Sequence, residues 1–168
     1  MARDRADTTD WTQVPIARPS ITGIRTPDNR PNASAFIGGI VAGTDKADVA
    51  FAILEGIAFQ FLDCVRAQEA AGVPVDQVLA VGGGARSAFW VSLIATLFDR
   101  QIAVLQNGEI SACLGAAKLA ECATAPERID QILARRLPVA ATIDPVPAWS
   151  DRLTERHAAF RTLPFTLG

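Results

Sequence analysis

The run Val81-Gly82-Gly83-Gly84-Ala85-Arg86-Ser87 constrains this chain more than any other stretch. It lies between a short β-prone segment, Gln77 to Val81, and an apolar stretch from Ala88 to Asp99 that reads as a helix. Three successive glycines let the backbone take positive φ angles and bring main chain close to a ligand. The helix that follows presents free N–H groups and the positive end of its dipole. In an open α/β sheet, ligands gather beyond the carboxyl ends of the strands. Gly82, Gly83, Gly84, Ala85, Arg86 and Ser87 are therefore candidate nucleotide-binding residues. On glycine content alone, a tight strand-to-helix turn that binds nothing reads the same.

Two better-defined glycine loops can be tested against this run. A phosphate-binding P-loop ends in Gly-Lys-Ser/Thr, whereas here the residues are Ala85-Arg86-Ser87. The dinucleotide fingerprint G-x-G-x-x-G requires Gly, or Ala in a variant, where Ser87 stands, and an acid about twenty positions on. Position 106 is Gln and the nearest acid is Glu109. A Rossmann-type dinucleotide binder stays an alternative with little motif support.

Around the run, helical and extended patterns alternate. Thr44 and Asp45 offer N-cap side chains, and a long helix is expected from about Lys46 to Ala71, stopped by Gly72 and Pro74. Its apolar residues recur at helical spacing, and Phe51 and Phe59 widen the stripe enough to predict cover on two sides. Gly56 in mid-helix costs about 1 kcal/mol relative to Ala, which points to a close neighbour packed against it. Gln101 to Leu105 reads as a second strand. Ile110 to Ala123 reads as a small-residue helix after the Asn107-Gly108 turn, and Pro126 to Arg136 as another helix. A last amphipathic helix is expected over about 148–162. This order predicts an α/β layered domain. Two clear strands are few for a parallel sheet, so further strands lie within residues 11–43 or come from polypeptide outside this chain. Residues 1–20 read as an irregular leader and 21–168 as the domain.

Composition excludes several functions. The chain has 168 residues and a net charge of -2, with no basic footprint for nucleic acid and no cationic face for a membrane surface. No apolar run approaches the roughly 20 residues of a spanning helix, and the first twenty residues hold no signal-peptide core, so a cytoplasmic location is expected. Cys64, Cys113 and Cys122 form no Cys-x-x-Cys pair, and they read as reduced, buried thiols. His157 is the single histidine, which leaves no material for a His-based zinc site or a Ser-His-Asp triad. No catalytic residue and no metal ligand is assigned.

Residues 35–55, AFIGGIVAGTDKADVAFAILE, resemble the second signature stretch of the FGGY carbohydrate kinases, through Ala35, Ile37, Gly39, Ile40, Asp48, Val49, Ala52, Ile53, Leu54 and Glu55 in register. Arg25-Thr26-Pro27 with Asn29 resembles a stretch of the family's xylulokinases, where Glu stands at the position of Ile24. Gly82 to Ser87 followed by Trp90 resembles the family's adenosine loop, and Leu114 to Ala120 its small-residue helix near the adenine. The resemblance implies an actin-like, ribonuclease-H-like fold in which this chain is the C-terminal lobe of a sugar kinase. It implies ATP-dependent phosphorylation of a sugar hydroxyl with Mg2+, and it adds Ala88 to the candidate ATP or ADP contacts. The phosphate loop, the sugar contacts and the catalytic Asp belong to the family's N-terminal domain. No Asp here has Gly two residues later, so the isolated chain is expected to show no turnover. Its expected partners are a nucleotide, a sugar only through an N-terminal domain, and either a second copy or a complementing N-terminal polypeptide. A non-catalytic interaction module is the alternative. Gluconate, ribulose and glycerol are open alternatives to xylulose.

Three side-chain readings complete the picture. Glu55, flanked by Phe51 and Phe59 at i±4, reads as a structural ion pair rather than a general base. Arg135-Arg136 and the Arg152/Glu155/Arg156 cluster read as solvated helix faces. Trp90 and Trp149 read as core.

Overall fold

The computed structural model describes Trp11 and residues 13–166. It opens with two short strands, β1 (Ile16–Arg18) and β2 (Phe36–Gly38), paired antiparallel with Ala17 opposite Ile37. Helix α1 (Lys46–Ala70) follows. Asp45 caps it by accepting from the N–H of Ala47 and Asp48, while Asp48 accepts from the Asp45 N–H. This reciprocal box satisfies N–H groups that a helix start leaves unpaired.

Strand β3 (Val78–Ala80) leads through a 3-10 turn (Gly83–Arg86) into helix α2 (Ala88–Phe98), and then to β4 (Ile102–Leu105). β3 and β4 are parallel, with Leu79 opposite Ala103, so α2 is their crossover. A second 3-10 turn (Gly108–Ile110) opens helix α3 (Ser111–Thr124). A 3-10 turn at Pro126–Arg128 and the short helix α4 (Ile129–Ala134) lead to β5 (Val139–Ile143), antiparallel to β4 with a bulge at Val104/Leu105. The chain closes with helix α5 (Ser150–Arg161). Among the described residues no helix is long and apolar enough to cross a membrane.

The core lies where α1, α2 and α5 meet the three-stranded sheet, and Phe59, Leu93, Ile102, Leu153 and Phe160 are buried there. Each such side chain contributes roughly 1.5–3 kcal/mol through removal from water. The expected cover of α1 on two sides is present: α2 and α5 pack on it, and so does β1. The neighbour inferred at Gly56 is β1 itself. A Cβ at Gly56 would lie 2.2 Å from the Ala17 carbonyl oxygen and 2.9 Å from the Pro19 ring.

Several expectations are corrected. The leader assigned to residues 1–20 is structural from Trp11 on, because Trp11, Val14, Ala17 and Arg18 are buried against α1 and α5; residues 1–10 and Thr12 lie outside the described residues. The strand is masked in the sequence by its brevity and by Pro15 and Pro19 on either side. The helix expected over Pro126 to Arg136 is a 3-10 turn plus six helical residues. β5 has no counterpart among the expected strands, because Val139–Ile143 contains two alanines and borrows its pairing from β4. The cysteines are unpaired, but Cys113 is exposed and Cys64 and Cys122 are half-buried. Arg156 is no solvated residue: it reaches inward to Glu55.

Candidate functional site

The glycine turn sits at the carboxyl end of β3, and the Asn107–Ile110 turn sits at the carboxyl end of the neighbouring β4. Parallel pairing puts the two side by side, and the Gly82 N–H donates to the Gly108 carbonyl at 2.9 Å. Gly82 has φ +82°, a region that disfavours any residue with a Cβ. Asn107 takes the left-handed conformation at φ 54°, which its short polar side chain tolerates. Helices α2 and α3 thus both start at this end of the sheet.

The predicted residues are brought together as one short segment with two different faces. A Cβ at Gly82 or Gly83 would meet nothing within 4 Å, so main chain there is open to a ligand. At Gly84 a Cβ would lie 2.3 Å from Cζ3 of Trp90, so that side of the turn rests on the indole. Ala85 is half-buried, while Arg86, Ser87 and Ala88 are exposed. Ser87 caps α2: its Oγ accepts from the Trp90 N–H at 3.3 Å. The first turn of α3 has no side-chain cap; the 3-10 turn before it takes up the Ile110 and Ser111 N–H groups, which donate to the carbonyls of Asn107 and Gly108.

Sequence reasoning misses one member of this arrangement. Asn107-Gly108 reads there only as a turn, although consecutive parallel strands place their carboxyl-end loops together. Trp90, which follows the loop in the family resemblance and reads as core, packs half-buried against the core beneath the loop, with Nε1 donating to the Leu54 carbonyl at 3.2 Å. Next to it an apolar cleft of about 540 Å3 opens between α1, β3 and α2, lined by Phe61, Cys64, Val81, Gly84 and Trp90 among others. A larger cleft of about 770 Å3, between β1–β2 and α5, shares no residue with the glycine turn.

The xylulokinase-like loop is anchored at Ile24, whose N–H and carbonyl both pair with Arg30. Ile24 is buried. A carboxylate in that position would need a buried partner, which accounts for an aliphatic residue standing there. Arg25 and Pro27 are exposed. Asp28 of the same loop binds Arg161, which also reaches Asp63 of α1.

Known proteins share this fold. The C-terminal domain of the FGGY family of carbohydrate kinases matches residues 1–124. The xylulose kinase of Escherichia coli K12 is 31% identical over 145 residues, taking in 86% of this chain and 30% of that protein. Among solved structures, a xylulose kinase from Brucella ovis superposes with a TM-score of 0.79 at 29% identity, over 95% of this chain and 33% of the other. The glycerol kinase of Plasmodium falciparum, solved with ADP, gives a TM-score of 0.67 at 25% identity, over 99% and 34%. This chain spans about a third of the length of these relatives. Its α/β lobe is that of sugar kinases with the actin-like, ribonuclease-H-like fold, and the chain belongs to the FGGY family of carbohydrate kinases, where it corresponds to the C-terminal domain.

Proposed function

We propose that this domain is the nucleotide-binding side of an ATP-dependent sugar kinase, xylulokinase-like, and that Gly82, Gly83, Gly84, Ala85, Arg86, Ser87 and Ala88 line the adenosine. One observation carries this reading. The turn at the carboxyl end of β3 offers open main chain at Gly82 and Gly83 and is tied to the start of α3 through Gly108. An open glycine backbone suits the flat face of a base and ribose. ATP with Mg2+ supplies the phosphoryl group. Among the described residues no group of three or more His, Cys, Asp or Glu side chains is arranged to hold a metal ion. In this reading phosphate and Mg2+ positioning, the sugar contacts and the base that orients the hydroxyl come from the rest of the kinase. This chain's residues hold and orient the nucleoside.

The test is calorimetric titration of the purified chain with ADP, with NAD as the comparison. Saturable binding of ADP but not NAD is expected, weakened at least about tenfold by Gly83→Val. Valine at 83 faces open space, so it obstructs the ligand and not the fold. A folded chain that ignores ADP would sink the reading. Phosphorylation of D-xylulose should appear only after an N-terminal domain is added in trans.

A second reading, an interaction module, draws on a specific observation. Phe61, Leu79 and Val81 are 43%, 44% and 48% exposed around the free edge of β3. Apolar edge strands of this kind pair with other chains. A dimer on size exclusion, with no ADP binding, would favour it.

A further inference from the structure

We propose that Trp90 is a positioning residue for the nucleotide site: its indole is the floor on which the glycine turn is held in its ligand-accepting shape. The inference rests on the nucleotide reading above. Trp90 is tied to its surroundings in four ways. Its backbone N–H is bound by Ser87 Oγ, the last residue of the turn. Its Nε1 donates to Leu54 O in the middle of α1, which fixes the orientation of the ring. Phe61 packs on it at 6.1 Å between centroids. Finally, the Cζ3 and Cε3 edge of the ring lies where a Cβ of residue 84 would be, at 2.3 and 2.9 Å.

The consequence is a division of labour among the three glycines. Gly82 is needed for its positive φ, and Gly83 faces open space. Gly84 is needed because its missing side chain lets main chain settle onto the indole. A turn rich in glycine is otherwise the part of a chain with most conformational freedom to lose when a ligand orders it. Trp90 removes part of that freedom beforehand, and a preorganised site binds more tightly without any new contact. The indole meets the turn at residue 84, whereas no atom lies near a Cβ at Gly82 or Gly83, and the role proposed for it is to hold the loop.

The test is a double-mutant cycle on the chain, with two readouts: ADP affinity by calorimetry and amide hydrogen exchange of residues 83–87. Trp90→Phe keeps an aromatic ring in the core but lacks the fused-ring edge, Cε3 and Cζ3, that underlies residue 84, and it lacks the Nε1 anchor. It should fold, lose exchange protection in the turn and weaken ADP by about tenfold, since ordering one backbone residue costs on the order of that factor. Gly84→Ala should do the same in the wild-type background. It should cost little more in the Trp90→Phe background, where the atoms that it strikes are gone. Trp90→Phe with wild-type affinity and protection, or strictly additive costs, would overturn the proposal. If the wild-type chain binds no ADP while the exchange data show the coupling, the nucleotide reading fails and the floor remains. If ADP binds and the coupling is absent, the reverse holds.

Discussion

Glu55 and Arg156 form a two-pronged ion pair between α1 and α5, with Nε to Oε1 and Nη2 to Oε2 both at 2.7 Å. The Glu55 side chain is 0% exposed and that of Arg156 11%. Arg156 also donates to the carbonyls of Trp11, Val14 and Pro15. One guanidinium thus joins both helices to the segment leading into β1. Glu55 has no open path to a reacting group, and its acidity serves the fold.

Removing one partner of such a pair leaves an uncompensated buried charge, worth about 3–5 kcal/mol. Arg156→Met should therefore lower stability by that order in urea denaturation. Burial pushes the Glu55 carboxyl above its usual value, and the hydrogen bonds and charge of Arg156 oppose that rise. Without Arg156 the rise is unopposed, and the folded state holds a proton that the unfolded state releases. The stability that this protonation provides is present below the ordinary glutamate pKa and is lost as pH rises through the folded value. The variant should be more stable at about pH 5 than at pH 8, with its deficit against wild type widening across that window. A pH-independent deficit would show that Glu55 stays ionised in the variant.

Asp63 behaves in the opposite sense. Burial alone would raise its pKa, but the hydrogen bond with His157, at 2.9 Å, and the charge of Arg161 outweigh burial and hold it below the usual aspartate value. A depressed carboxyl contributes stability above the unfolded pKa and loses it as pH falls through the folded one. Wild type should therefore weaken as pH drops below about 4, and Asp63→Asn should flatten that part of the curve while being less stable at pH 7. Urea midpoints at pH 7, 5, 4 and 3 measure both. Equal acid slopes would remove Asp63 from the account.

Two glycines in helices give opposite expectations for the same substitution. In the interior of a helix, Gly→Ala gains about 1 kcal/mol. At Gly115 of α3 a Cβ meets nothing within 4 Å, so Gly115→Ala should stabilise by roughly that amount. At Gly56 the Cβ would press on the Ala17 carbonyl. That contact involves main chain on both sides, so Gly56→Ala should destabilise by about 2 kcal/mol or more despite the better propensity. Thermal unfolding of the two variants should shift in opposite directions.

The long helix, the strand–glycine–helix unit and the close neighbour at Gly56 are legible in the sequence because each is a local pattern: a cap, a periodicity, a residue type with a conformational cost. β1 and β5 are not. Both are short, and each is held by partners far away in sequence, β1 by β2 and α1, β5 by β4. Arg156 is hidden for a similar reason. Its neighbours Arg152 and Glu155 make that stretch of α5 look polar, and only the fold shows that one arginine turns inward to an acid 101 residues earlier. The glycine segment is visible in the sequence, but its two faces are not, since they depend on where Trp90 and Gly108 come to lie.

The segment before Ile21 supplies the last prediction. Arg18 of β1 is buried between two aromatic rings, with Cζ 4.9 Å from the Phe160 centroid and 4.0 Å from that of Phe165. It donates to the Phe160 carbonyl at 3.0 Å. Deleting residues 1–20 would strip β1 from α1, open the space over Gly56, and take from Arg156 its three carbonyl acceptors. It would also expose Ala52, which is buried against Val14 and Ala17 in the intact chain. A domain's total stability is only about 5–15 kcal/mol, and the deletion removes a strand, a buried arginine and the anchor of the ion pair together. The truncated chain should therefore show no cooperative thermal transition by circular dichroism. A truncated chain that unfolds cooperatively near the wild-type temperature would mean that β1 is an accessory to the domain, and that Glu55 and Arg156 hold α1 to α5 without it.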